Sequence, residues 1–263
     1  MKGIILRGGE YQKKFMGSFN QIANLIRSSP KIVILTGAGI STESGLPDFR
    51  SEGGFWTKNQ PIQFQDFVKS EDQQRLSWLR NIELHNLLRT IYPNSGHELV
   101  VKILSMSPHN FLITQNIDGL HQESGVRQDQ IIEIHGNAKK AACLDCLKEN
   151  PIQDFHDAVT MNKILPRCSF CKGLVKVATI SFGQPLNEEH MQKATELSET
   201  CDLLIVIGSS LKVMPAGKLP GLTLAKGGKV AIFNREQTRY DSKSEVAVND
   251  ELREICMKLN KLI

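Results

Sequence analysis

Runs of consecutive apolar, β-branched residues alternate along the chain with segments whose apolar positions recur every three to four residues. Lys31-Ile32-Val33-Ile34-Leu35-Thr36 and Asp202-Leu203-Leu204-Ile205-Val206-Ile207-Gly208 are short and continuously apolar in their centres, as expected of strands covered on both faces. Phe111-Leu112-Ile113-Thr114, Val230-Ala231-Ile232-Phe233 and Val177-Ala178-Thr179-Ile180-Ser181-Phe182 predict further strands. Helical spacing falls between them over Phe19–Ser28, Gly96–Ser105, Glu188–Glu199 and Glu251–Leu262. Strands alternating with helices predict an α/β fold, a twisted parallel sheet with helices on both faces. Two segments interrupt the alternation. Gln73–Leu88 reads as a helix outside it, and Asn137–Lys176 has little periodicity. They predict a smaller lobe inserted into a Rossmann-like sheet domain. The sheet domain takes residues 17–50, 91–136 and 177–263; the lobe takes 51–90, which is helical, and 137–176. Residues before Met16 predict a weakly structured extension, with Met16 an alternative start.

Composition narrows the function. A chain of 263 residues, 40% hydrophobic and 23% charged, is long enough for a sizeable core and excludes wholesale disorder. Its net charge is +4 and it has no basic run, which argues against a nucleic-acid partner. No apolar stretch reaches the ~18 residues of a membrane span, and the apolar run in Met1–Arg7 is too short for a secretory signal. The expected location is the cytoplasm, with no membrane partner.

Four of the six cysteines form two pairs, Cys143-Leu144-Asp145-Cys146 and Cys168-Ser169-Phe170-Cys171, with 21 residues between them. In a reducing compartment such pairs read as metal ligands rather than disulfides. Two thiolate hairpins close a tetrahedral zinc site, and with all four ligands from protein the ion is structural. Cys201 and Cys256 read as small buried hydrophobes. A zinc deaminase would need His-x-Glu and Pro-Cys-x-x-Cys; the chain has Glu133-Ile134-His135 and places Arg167 before Cys168.

Thr36-Gly37-Ala38-Gly39-Ile40-Ser41 directly follows the first strand. Small residues there let backbone N–H groups approach a pyrophosphate; the same residues also suit a tight strand-to-helix turn. Thr42–Arg50 continues as a polar loop in which Arg50 could clamp phosphate and Phe49 could cover a flat ring. Thr114-Gln115-Asn116-Ile117-Asp118-Gly119 ends another strand. Its amides and carboxylate suit nucleotide hydroxyls and a carboxamide, or an Asx-turn capping the next helix. His135 follows Ile131-Ile132-Glu133-Ile134 and precedes Gly136, which loosens the backbone where a strand would end. An imidazole there can take a proton near neutral pH.

Gly37-Ala38-Gly39-Ile40-Ser41 with Ser44-Gly45-Leu46-Pro47-Asp48-Phe49-Arg50 resembles the sirtuins, the NAD-dependent protein deacylases. Thr114–Leu120, His135-Gly136, the Cys pairs, Phe182-Gly183, Gly208-Ser209-Ser210-Leu211 and Phe233-Asn234 extend the resemblance in order, from about residue 19 to 255. It implies one catalytic unit with NAD as co-substrate, one structural zinc ion, and acyl-lysine proteins or peptides as partners. It further implies that Ala38, Gly39 and Arg50 meet the pyrophosphate of NAD, with Gly37 and Phe49 also at the cofactor. Gln115, Asn116, Ile117 and Asp118 would serve the nicotinamide side, and Gly208, Ser209, Ser210 and Asn234 the adenosine side. His135 would be the general base, with Asn116 beside it, while Ile180, Phe182, Gly183 and Val213 would line the acyl-lysine site. His97 also matches a family position and reads as structural. Three departures stand out. Gln184 replaces the usual Glu, Lys176-Val177 replaces Arg-Pro, and Ser77-Trp78-Leu79-Arg80 lacks the Tyr-x-x-Arg pair of the branch preferring acidic acyl groups. The third implies a neutral acyl group such as acetyl. Another NAD-consuming enzyme, such as an ADP-ribosyltransferase, and a non-catalytic NAD or zinc module are the competing readings.

Overall fold

The computed structural model describes residues 4–7, 12–47 and 60–263. Phe49 and Arg50, both expected at the cofactor, lie outside the described residues. The strands in chain order are β1 (Ile4–Arg7), β2 (Ile32–Thr36), β3 (Phe111–Thr114), β4 (Ile131–Glu133), β5 (Gly136–Cys143), β6 (Glu149–Pro151), β7 (Val175–Thr179), β8 (Leu203–Ile207), β9 (Lys229–Phe233) and β10 (Val246–Asn249). The α-helices are α1 (Gln12–Ser28), α2 (Phe64–Lys69), α3 (Glu71–Leu88), α4 (Ser95–Ser105), α5 (Leu120–Glu123), α6 (His156–Thr160), α7 (Glu188–Thr200), α8 (Leu219–Ala225) and α9 (Leu252–Leu262).

Seven strands form one parallel sheet in the order β1-β10-β9-β8-β2-β3-β4. From β2 the chain builds outward through β3 and β4; it then returns to β8 on the other side of β2 and builds through β9 and β10. The strand order therefore reverses between β2 and β8, where open α/β sheets bind ligands at their carboxyl edge. Successive residues of β2 feed opposite layers. Ile32 and Ile34 pack with Phe19, Ile22 and Ile26 of α1, Leu99 and Ile103 of α4, and Ile255 and Leu259 of α9. Val33 and Leu35 join Ala194 and Leu197 of α7 and Leu219 of α8. This two-sided burial explains why β2 and β8 are apolar without alternation.

Strands β6-β5-β7 form a separate three-stranded antiparallel sheet. Trp78 and Ile82 of α3 pack onto it with Ala141, Ile152, Val159, Val175 and Val177, and Trp78 Nε1 donates to the Val175 carbonyl at 3.2 Å. A second apolar cluster of Leu46, Leu84, Leu88, Ile91, Leu120 and Ala138 joins this lobe to the large sheet.

The α/β class with a smaller lobe matches the expectation, with two corrections. The strand expected over 177–182 belongs to the small sheet: β7 runs from Val175 to Thr179 and pairs with β5. Residues before Met16 contribute regular structure, with β1 pairing in parallel with β10 and α1 starting at Gln12. The placements of β7 and β1 have one cause: strand pairing is decided by distant partners, which local apolar pattern does not encode.

Candidate active site

A cleft of ≈600 Å³ opens along the carboxyl edge of the large sheet, against the small lobe. That volume suits a nucleotide-sized ligand. Gly37, Ala38 and Gly39 form one wall. They follow β2 and enter a seven-residue 3₁₀ helix, Ala38–Ser44, rather than the α-helix a dinucleotide fold usually places there. The glycines are needed for close approach. A Cβ on Gly37 or Gly39 would stand 2.8 Å from the Gly208 carbonyl oxygen, so the loops after β2 and β8 can touch only where no side chain intervenes. Gly208, Ser209, Ser210 and Asn234 line the adjoining wall.

His135 lies on the facing side, in the turn between β4 and β5. Its Nδ1 is 3.0 Å from the Gln115 carbonyl oxygen. A carbonyl only accepts, so Nδ1 carries the proton of the neutral ring and Nε2 holds the basic lone pair. Gln115 is itself held, donating through Nε2 to Ser209 Oγ at 2.7 Å. Gly136, at φ +76°, makes the turn: a Cβ there would lie 1.9 Å from the Ala178 carbonyl oxygen. The His135 carbonyl accepts from Ile180 N–H at 2.9 Å, so the imidazole and the Ile180 segment share one backbone link.

Ile180, Phe182, Gly183 and Val213 also line the cleft, as does Ile117. The Phe182 segment is anchored by Phe64 N–H, which donates to the Phe182 carbonyl at 2.8 Å. Asn116 and Asp118 are placed differently. Both are buried behind the wall, linked through Ser41: Asn116 Nδ2 donates to Ser41 Oγ at 3.2 Å, and Ser41 donates to Asp118 Oδ2 at 2.7 Å. Burial raises the Asp118 carboxyl above the usual range, while bonds from Leu120 N–H and the Ser41 hydroxyl oppose that rise. Asn116 Oδ1 is buried with no hydrogen-bond partner. An unpartnered buried amide oxygen beside this cleft fits a ligand hydroxyl, and with the cleft volume and the paired glycine loops it makes the residues compatible with NAD.

The four paired cysteines converge. Their sulfur atoms all lie within 4.8 Å of one another, with Cys143–Cys171 at 3.4 Å and Cys146–Cys168 at 3.6 Å. Sulfurs about 3.8 Å apart surround a tetrahedral ion with ~2.3 Å bonds, so the cluster is a potential metal site. The four thiols share their charge: backbone N–H groups lower Cys143 and Cys168, while the neighbouring sulfurs push Cys146 and Cys171 up.

A Sir2 family model matches residues 37–215. The chain belongs to the Sir2 family. It is 40% identical over 234 residues to an NAD-dependent protein deacetylase of Rhodopseudomonas palustris, covering 89% of this chain and 92% of that protein. It is 41% identical over 234 residues, with the same coverage, to NAD-dependent protein deacetylase 1 of Bradyrhizobium diazoefficiens. Among solved structures, Sir2 bound to acetylated peptide superposes with a TM-score of 0.80 at 30% identity, covering 96% of this chain and 98% of that one. Sir2 with a p53 peptide and NAD+ superposes at 0.78 and 31% identity with the same coverage.

This Sir2 cleft also contains residues that sequence reasoning did not assign. Thr42 and Glu43 extend the glycine-loop wall, and Lys212, Arg235 and Glu236 flank the Ser209–Asn234 side. Glu236 carried a readable signal, since it stands three residues after β9 at the carboxyl edge of the sheet. Ser77, Arg80 and Asn81 reach the cleft from α3, and Arg80 Nη1 donates to the Gln60 carbonyl at 2.8 Å. Ser77 and Arg80 are the ends of the segment compared above with the Tyr-x-x-Arg pair, whereas nothing local marks Asn81, which the packing of the small lobe brings in. Gln184 lines the cleft and accepts from Ser181 N–H at 3.1 Å.

Proposed function

We propose that this chain is an NAD-dependent protein-lysine deacetylase, moving an acyl group from lysine to ADP-ribose with release of nicotinamide. The observation that carries this reading is His135. Its ring, held by the Gln115 carbonyl, stands in one cleft with both the glycine loop and the Ile180–Phe182–Val213 wall. When bound, NAD would supply the ribose carbon that the acyl oxygen attacks as nicotinamide leaves; with one water consumed as the lysine amine is released, the products are free lysine, nicotinamide and O-acyl-ADP-ribose.

The protein contributes orientation, dryness and one proton transfer. Ala38 offers its backbone N–H to the pyrophosphate, while Gly37 and Gly39 donate theirs to the Ile207 and Gly208 carbonyls and keep that wall free of side chains; Arg50 clamps the phosphates and Phe49 covers a flat ring. Gly208, Ser209, Ser210 and Asn234 hold the adenosine side. Gln115, Ile117, Asp118 and the unpartnered Oδ1 of Asn116 serve the nicotinamide side. Ile117, Ile180 and Val213 exclude water from the reacting centre. His135 Nε2 takes the proton of a ribose hydroxyl. The Phe182-Gly183-Gln184 and Val213-Met214-Pro215-Ala216 segments receive the peptide as an added strand, through backbone bonds that demand little sequence preference. Cys143, Cys146, Cys168 and Cys171 hold one structural zinc ion, whose sulfur-only shell leaves no open position for catalysis. The chain works on neutral acyl groups, acetyl first, and in the cytoplasm.

The test is mass spectrometry of an acyl-lysine peptide panel with and without NAD. Loss of acetyl matched by O-acetyl-ADP-ribose is expected. Nicotinamide release that needs no acyl-lysine would instead assign another NAD-consuming activity.

A further inference from the structure

Two histidines with no role in the reaction above lie beneath the Asn116 loop. His97, fully buried in the first turn of α4, and His121, buried in α5, have ring centroids 4.9 Å apart. Asn94 N–H donates to His97 Nδ1 at 3.2 Å. A nitrogen that accepts carries no proton, so His97 is protonated at Nε2. On the far side, Thr114 Oγ1 accepts from Asn116 N–H at 3.0 Å and from the Thr36 hydroxyl at 2.8 Å. Having given its proton to Thr114, Thr36 Oγ1 accepts from His121 Nε2, which lies 2.9 Å away. His121 thus carries its proton on Nε2 and a lone pair on Nδ1. His97 Nε2 and His121 Nδ1 are both buried without a partner. The two rings pack against each other at a tilt, with no hydrogen bond between them.

We infer that His121, Thr36 and Thr114 form a one-directional hydrogen-bond chain that positions Asn116, with His121 the positioning residue at its head and the His97 ring packed against it. The inference rests on the reading above, in which Asn116 presents Oδ1 to the ribose. Two further bonds tie the His97 end of α4 to the glycine loop. Asn94 Nδ2, at the same helix end as His97, donates to the Ile40 carbonyl at 2.8 Å and to Ser44 Oγ at 2.9 Å. The glycine loop therefore hangs from the end of α4 whose His97 ring packs on His121. Direction requires neutral rings. Burial takes His97 down to about 4, against a smaller opposing pull from Glu123. Burial takes His121 well below the ordinary imidazole value, and the neighbouring His97 adds to that. A buried polar chain in which every member has one role is rigid, and breaking one link frees the segment it holds.

Ligand-free protein labelled with ¹⁵N tests this without turnover. Both rings are expected as neutral Nε2–H tautomers that do not titrate between about pH 6 and 8. Thr114→Val keeps shape and removes only the hydroxyl. It should speed amide exchange at Asn116 by about tenfold, the loss of one buried hydrogen bond. In the same variant kcat should fall by about tenfold while the peptide KM stays within roughly twofold, the mark of lost orientation rather than lost binding. His121→Gln, whose amide can both donate and accept, should retain more turnover than His121→Leu. An Nδ1–H tautomer at His121 would overturn the inference. So would a Thr114→Val protein with wild-type kcat and unchanged Asn116 exchange, and this variant decides the matter even where His121→Leu does not fold. Wild-type protein that releases no O-acyl-ADP-ribose would defeat the deacetylase reading instead, leaving the tautomers and the exchange rates to judge the chain.

Discussion

The two sheets of this protein are stabilised by different means. In the large sheet, Val33, Ile34 and Leu35 of β2 and all five residues of β8 are fully buried, and helices cover both faces. Burial at roughly 25 cal/mol per Å² of apolar surface is enough to hold such a layer. The small sheet has three strands, and its core includes Cys143 and Cys168 beside Trp78 and Ile82. It also buries Lys176, whose Nζ donates to the Val177 and Thr179 carbonyls. A lobe with so little apolar interior and a buried amine has its four-cysteine cluster, a potential metal site, as a further means of stabilisation. The division also separates stability from chemistry: the glycine loops and His135 sit at or next to the edge of the large sheet, while the small lobe contributes one wall of the cleft.

Metal removal gives the largest expected effect. Structural zinc sites contribute on the order of 10 kcal/mol to folding of their modules. Chelation, or Cys168→Ser, should unfold the small lobe while the large sheet stays protected, read as loss of amide-exchange protection in β5 and β7 with β2 and β8 unchanged. An intact small lobe in a metal-free, fully active protein would erase the contrast.

His135→Ala should show the converse, a loss of chemistry without a loss of fold. Turnover should drop about 10²–10⁴-fold, the usual contribution of general base catalysis, with the thermal midpoint within a few degrees of wild type. Product formation measured alongside calorimetry checks both halves, and a large fall in the midpoint would show that the histidine is structural.

The smallest effect concerns Lys176. Burial brings its ammonium from 10.5 down to about 7. Between those values the unfolded chain binds a proton that the folded chain does not, so stability rises as pH climbs through that window; below about 7 the full burial cost is present. Lys176→Met removes this dependence. The midpoint of the Met variant relative to wild type should be highest at and below pH 7 and decline steadily toward pH 10. A difference that stays constant with pH would mean that the amine is not held neutral.

The sequence by itself determined the parallel α/β core, the two glycine loops, the thiolate cluster and the order of the site motifs. Each is written in contiguous residues: continuous apolarity in β2 and β8, glycine where backbones meet, cysteine at metal-ligand spacing. Only the tertiary structure decided that β7 pairs with β5 in the small sheet, that β1 and β10 extend the large one, and that Asn81 reaches the cleft. It also decided that Asn116 and Asp118 turn inward onto Ser41, and that two histidines from separate helices meet beneath them. These are contacts between residues far apart in the chain. Local pattern reports how deeply a residue is buried but carries no record of which distant neighbour it is buried against.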